Sequence, residues 1–226
     1  NGAAGEVVAM LTKRLPGTHI VVNEIIDGTF PSHHPDPTVA KNLLQLQRIV
    51  LENGCDLGVA FDGDGDRLGA VDGQGHILWA DEFLELFAKE VLETHPGATI
   101  IADVKASQGF FEAVAHMGGQ PLMWKTGHAL IKSKMAEMRS PLAGELSGHV
   151  FFADRYFGYD DGVYGALRLI GICANMSLSL AQWYDAKPVR YNTPEMRIEC
   201  ENKDKFQIVK NISAAVQSLG LQVDLT

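Results

Sequence analysis

The stretch Asp62-Gly63-Asp64-Gly65-Asp66-Arg67 limits the fold more than any other part of this chain. An apolar run of buried-strand type, Asp56 to Phe61, leads into it, and a second, Leu68-Gly69-Ala70-Val71, leaves it. Three carboxylates therefore stand at alternate positions in a loop between two strands. They must repel one another or share a cation. In extended backbone, residues two apart point the same way, so Asp62, Asp64 and Asp66 converge. Gly63 and Gly65 let the loop curl where a side chain would clash. Oxygen-only donors suit Mg²⁺ or another hard divalent ion and not zinc.

Two other readings compete. An exposed acidic turn would need no ion. A calcium EF-hand loop needs Gly at its sixth position and Glu at its twelfth; Arg67 and Gly73 stand there, and no helix precedes Asp62. Arg67 argues for more than a cation store. A fixed positive charge beside a metal weakens ion binding unless an anion lies between them. Phosphate fits, because Arg grips it through two parallel hydrogen bonds.

The chain has 226 residues, 46% of them apolar and 21% charged, enough for an ordinary buried core. No apolar run reaches the roughly 18 residues that span a bilayer; the most apolar stretch, 163–180, is broken by Arg168 and Asn175. Cys55, Cys173 and Cys200 are widely spaced and odd in number, as expected of reduced thiols in a cytoplasmic protein. A net charge of −9 argues against a nucleic-acid or membrane partner. An anionic substrate would need a local positive pocket.

Short apolar runs alternate with helical patterns, which predicts an α/β fold with mixed, mainly parallel sheets. Helices are expected at 6–15, at 38–52 with Thr38 as cap, and at 81–94 with Asp81 as cap. Others are expected at 108–117, 129–138 and 204–219. A long one opens at Asp160-Asp161-Gly162 and runs to about Trp183. Strands are expected at 19–26, 56–61, 98–102, 121–124, 142–144, 149–153, 193–201 and from Leu221, with a hairpin turn at 72–75. Three domains follow: 1–76 around the Asp loop, with its first strand missing; 77–187; and 188–226, the incomplete start of another α+β domain. Ligands in such sheets bind beyond the carboxyl ends of the strands, where the Asp loop lies.

The second domain carries three more polar loops. Lys105 follows a strand end. Lys125-Thr126-Gly127-His128 follows the next, and Thr126-Gly127 offers backbone N–H groups to an anion at a helix start. In Gly144-Glu145-Leu146-Ser147-Gly148-His149, the alternating Glu145, Ser147 and His149 share one side of an extended backbone. A carboxylate, a hydroxyl and an imidazole suit the hydroxyls of a sugar. His33 and His34 are assigned to packing or capping.

These motifs resemble the signature loops of the α-D-phosphohexomutases, nearest the bacterial phosphomannomutase/phosphoglucomutase subgroup. Phe30-Pro-Ser-His-His-Pro-Asp-Pro37 and Asn1-Gly-Ala-Ala-Gly5 resemble that family too. The resemblance implies a four-domain enzyme of which this chain holds most of domain two, all of domain three and the start of domain four. It implies Mg²⁺-dependent interconversion of hexose 1- and 6-phosphates of mannose or glucose, through a phosphoserine enzyme and a hexose 1,6-bisphosphate. Asp62, Asp64 and Asp66 would hold Mg²⁺ and Arg67 would steady the phosphoserine. Lys105, Thr126, Gly127, His128 and His149 would line the sugar-phosphate site. Glu145 and Ser147 would hold the sugar's O3 and O4. His149 is assigned acid/base work, with Lys105 in reserve. The phosphoserine loop and the domain-four phosphate clamp are not in the sequence, so the 226 residues are expected to act as a monomeric fragment without turnover. Alternatives are a phosphoglucosamine mutase, a non-catalytic sugar-phosphate or cation-binding module, and a phosphatase using an Asp nucleophile; the last leaves Arg67 and Gly144–His149 unexplained.

Overall fold

The computed structural model describes residues 1–190 and 199–220. The chain divides into two compact units, 1–190 and 191–226. In the second, one helix, α8 (Lys205–Ser218), matches the expected 204–219. The strands expected at 193–201 and from Leu221 fall largely or wholly outside the described residues, and 199–201 are not part of a strand.

The first unit begins with α1 (Gly5–Thr12), which ends three residues before the expected Leu15. The strand expected at 19–26 does not form. A strand needs a hydrogen-bonded ladder beside it. The C-terminal end of this segment instead meets residue 1, through Asn1 Nδ2 to the Ile25 carbonyl and the Asp27 amide to the Asn1 carbonyl. Next comes α2 (Ala40–Asn53), closed by Gly54 in the left-handed region as its Asn-Gly ending indicates. Its cap position is Val39, not Thr38. Asp36 organises this start, accepting from the Thr38 amide at 3.0 Å and the Thr38 hydroxyl at 2.7 Å.

β1 (Leu57–Phe61), β2 (Leu68–Asp72) and β3 (Ile77–Leu78) form an antiparallel meander. The parallel pairing implied by strand–helix–strand alternation is absent from this sheet, because the 19–26 strand is. Asp72 makes the β2–β3 turn by accepting from the Gln74 and His76 amides. α3 (Ala80–Thr94) follows. Glu82 reaches back to the Trp79 amide at 2.9 Å, while Asp81, the expected cap, accepts from the Ser107 amide instead.

The second sheet contains β4 (Thr99–Asp103), β5 (Gln120–Trp124), β6 (Leu142–Gly144) and β7 (Val150–Phe152) in the order β5-β4-β6-β7. Its first three strands are parallel and β7 runs antiparallel, which gives the mixed, mainly parallel sheet the sequence predicts. α4 (Gln108–His116) and α5 (His128–Met138) are the crossovers. The long helix expected from 162 to 183 is two, α6 (Gly162–Asn175) and α7 (Leu180–Asp185). Ser179 restarts the chain by accepting from the Gln182 amide while Gln182 returns a bond to Ser179.

Successive β4 residues face opposite ways, and each face has its own core. Ile100 and Ala102 join Phe83, Phe87, Val91, Phe110 and Phe152 in a cluster that also takes in Leu68, Ala70 and Leu78 of the first sheet. Ile101 packs on the other face with Ile131 and Met135 of α5. Burying one such side chain contributes about 1.5–3 kcal/mol. Because α3 serves both sheets, the loops at their ends are held in one frame. Arg168, which interrupts the apolar stretch, is buried, with its guanidinium on Glu90 and Asp154 and 4.4 Å above the Phe152 ring.

Candidate active site

The loop between β1 and β2 curls around Asp62, which is buried. Its Oδ1 accepts from the amides of Gly65 (3.0 Å) and Arg67 (3.1 Å). The curl, with Gly65 at φ +85, replaces the extended backbone expected from the alternation. The three carboxylates still converge: one oxygen each from Asp62, Asp64 and Asp66 lie within 4.8 Å of one another. Burial and the nearby charges of Asp62 and Asp64 push the Asp66 carboxyl above its ordinary value, even against the His149 charge. This is the electrostatic signature of a carboxylate cluster that a cation would relieve. The donor set fits a hard divalent ion such as Mg²⁺.

Arg67 Nε donates to Asp62 Oδ2 at 2.6 Å, and Nη1 reaches Asp36 Oδ1 at 3.3 Å. Burial raises the Asp62 carboxyl, but its bonds to Arg67 outweigh that and leave it below the ordinary value. Arg67 is thus aimed by two carboxylates. Asp36, inside the Phe30–Pro37 motif, was not read as a site residue; its one sequence signal is the Asp-Pro-Thr turn pattern. His33 and His34 beside it are exposed, and the His33 ring meets the His34 carbonyl, so neither packs in a core nor caps a helix.

The Glu145–His149 loop meets the Asp loop directly. Arg67 and His149 pair as an antiparallel bridge, and the Leu68 amide donates to the Gly148 carbonyl at 3.0 Å. Gly148 has φ +96, and a Cβ there would fall 2.6 Å from the Leu68 carbonyl oxygen. Residues 145–148 form a turn closed by the Gly148 amide on the Glu145 carbonyl, not the extended run expected. That turn brings the three polar side chains together. His149 Nδ1 is 2.8 Å from Ser147 Oγ and 3.2 Å from Glu145 Oε2, and its Nε2 is 3.4 Å from Asp66 Oδ1. Burial lowers the His149 imidazole, but the bond to Glu145 and the charge of Asp66 outweigh it and hold the group above its ordinary value.

Glu145 Oε1 accepts from the Gly127 amide at 2.5 Å, so the N–H expected to meet an anion is occupied. The Thr126 hydroxyl donates to Asp103 Oδ2 at 2.9 Å, and Asp103 Oδ1 accepts from the Leu146 amide at 3.0 Å. Lys105 is half-buried, close enough for its charge to act on both Asp103 and Glu145. The exposed His128 ring stacks near His149, with centroids 6.1 Å apart, and its Nδ1 lies 3.7 Å from Asp160 Oδ2. Asp160 also binds Lys132 at 2.9 Å and lies 3.9 Å from His149 Nε2. Sequence reasoning placed Asp160 at a helix start and missed this position; Asp161 is the residue that caps α6, through the Tyr164 amide.

Residues 1–75 match the model of the phosphoglucomutase/phosphomannomutase alpha/beta/alpha domain II, and residues 79–191 match that of domain III. The chain belongs to the phosphoglucomutase/phosphomannomutase family. It is 43% identical over 217 residues to a phosphomannomutase/phosphoglucomutase of Pseudomonas syringae pv. tomato, covering 96% of this chain and 47% of that protein. A phosphoglucomutase of Neisseria gonorrhoeae is 39% identical over 221 residues, covering 97% and 48%. The crystal structure of a phosphoglucomutase/phosphomannomutase family protein from Burkholderia thailandensis superposes with a TM-score of 0.87 at 42% identity, over 94% of this chain and 45% of that one. The chain spans about half the length of the curated relatives it matches. No described helix is long and apolar enough to cross a membrane.

Proposed function

We propose that this chain is the metal- and sugar-holding part of a phosphohexomutase that interconverts hexose 1-phosphate and hexose 6-phosphate. One observation carries the reading: the Asp loop and the Glu145–His149 loop are joined by the Arg67–His149 pairing, with Asp66 Oδ1 3.4 Å from His149 Nε2. A metal-binding group and a hydroxyl-reading group thus face one space.

In this reading residues 1–76, 77–187 and 188–226 belong to three successive domains, and a phosphoserine comes from another part of the same polypeptide. Asp62, Asp64 and Asp66 hold Mg²⁺, which when bound neutralises charge on the transferring phosphoryl group. Arg67, aimed by Asp62 and Asp36, steadies that phosphate. Lys105, Thr126, Gly127, His128 and His149 line the sugar-phosphate site. Glu145 and Ser147 hold the sugar hydroxyls with the lone pairs left by their bonds to Gly127 and His149. His149, with Nδ1 held by Glu145 and Ser147, moves the proton of the attacking hydroxyl at Nε2. Contacts that ignore C2 accept glucose and mannose alike and suit a 1,6-bisphosphate that must bind in two orientations.

The full-length enzyme is the test. It should turn over glucose 1-phosphate and mannose 1-phosphate with Mg²⁺ present and lose activity with chelator. Preference for glucosamine 1-phosphate would move the reading to an aminosugar mutase. Unchanged kcat in His149→Ala would reassign the acid/base role to Lys105.

A further inference from the structure

Asp103 is fully buried, and the phosphoryl chemistry proposed above does not use it. It ends β4, the strand flanked by β5 and β6, opposite Trp124 in the register. The loops that leave those two neighbours therefore rise on either side of it. Its two carboxylate oxygens go to different loops: Oδ2 accepts from the Thr126 hydroxyl and Oδ1 from the Leu146 amide. The residues next in sequence to those partners are themselves joined, because Glu145 accepts from the Gly127 amide. Thr126, Asp103, Leu146, Glu145 and Gly127 thus close a ring of hydrogen bonds and peptide links. Glu145 also meets His149, while Gly127 precedes His128.

We propose that Asp103 is a positioning residue. It sets the spacing of the Thr126–His128 and Glu145–His149 loops, and through them the separation of His128 from His149. This rests on the sugar-phosphate reading, because the two loops are those assigned to that ligand. The acceptor must serve two donors from opposite sides. A carboxylate does so, and so does an asparagine that accepts from Leu146 through Oδ1 and donates to Thr126 Oγ1 through Nδ2.

The test compares the wild-type full-length enzyme with Asp103→Ala, Asp103→Asn and Thr126→Val by amide hydrogen exchange and by titration with glucose 6-phosphate. The informative amide is Gly127, which touches Glu145 and not Asp103. In Asp103→Ala its exchange should rise roughly tenfold while the Ile101 and Phe87 amides stay protected. Glucose 6-phosphate should bind about tenfold to a hundredfold more weakly. Asp103→Asn should restore both. An unchanged Gly127 amide, or a rise shared equally by Ile101 and Phe87, overturns the assignment, since a general packing role gives the latter. If Asp103→Ala does not fold, Thr126→Val decides: it cuts one link of the ring, and an unaltered Gly127 amide there overturns the proposal. A wild-type full-length enzyme that ignores glucose 6-phosphate overturns the sugar reading and the binding half of the assignment. The exchange result then decides the spacing half alone.

Discussion

Arg168 shows what single residues contribute here. It is buried against Asp154, whose side chain is also buried, and against Glu90. Breaking a buried pair strands a charge and costs about 3–5 kcal/mol. Arg168→Met should lower stability to urea by about that much, checked by equilibrium unfolding. Burial raises the Asp154 carboxyl, but the bonds from Arg168 outweigh it and hold the group below its ordinary value of 3.8. A depressed carboxylate stabilises the fold above its unfolded pKa, and that stability is lost as pH falls through the folded value. Acid unfolding below about pH 4 should therefore be less steep in Asp154→Asn, seen by following unfolding against pH. Asp66→Asn should weaken Mg²⁺ binding about tenfold by calorimetry, since the site would lose one of three carboxylates. The convergence of the Asp trio and the grouping of His149 with Glu145 and Ser147 were legible because their spacing is itself the signal. Asp36, Asp103 and Asp160 were not. Each looks like a turn, strand-end or cap residue, and its role arises only when distant loops are brought beside it.

At the scale of elements, hydrophobic periodicity located the helices and most strands, and their ends followed side-chain bonds it does not encode. Asp81 looked like a cap but spends its carboxylate on Ser107, whereas Glu82 reaches back to Trp79. The 162–183 helix hid a break whose Ser-x-x-Gln signature was present but overlooked. The 19–26 segment reads as a strand by composition, yet a strand is a property of two segments and this one has no ladder partner among the described residues. Gly148 is the turn that most needs its residue type. Gly148→Ala would place a methyl against the Leu68 carbonyl in a left-handed backbone. It should destabilise the chain by about 1–3 kcal/mol and loosen the Arg67–His149 pairing, read as faster exchange of the Leu68 amide.

For the molecule as a whole, the α/β class and mixed sheet were legible because a core shared by several elements imposes its pattern on all of them. The single core under both sheets was not, since no local pattern says which sheets α3 will join. Phe87 is fully buried in that core, with its ring against those of Phe83 and Phe152. Phe87→Ala should cost about 3–5 kcal/mol, and fluorescence and circular dichroism should report one coincident transition for both sheets. On the proposed function, the 226 residues alone should form no glucose 6-phosphate from glucose 1-phosphate in a coupled assay. Measurable product would refute the need for a serine from elsewhere in the polypeptide.

The backbone seam between residues 67–68 and 148–149 has a mechanical consequence. On the proposed function, it stitches the cation and sugar grips together through main-chain bonds, and they cannot drift apart without tearing the stitch. An intermediate that has to turn end over end would therefore pivot against a fixed floor, and any yielding that makes room for it must come from other walls of the chamber.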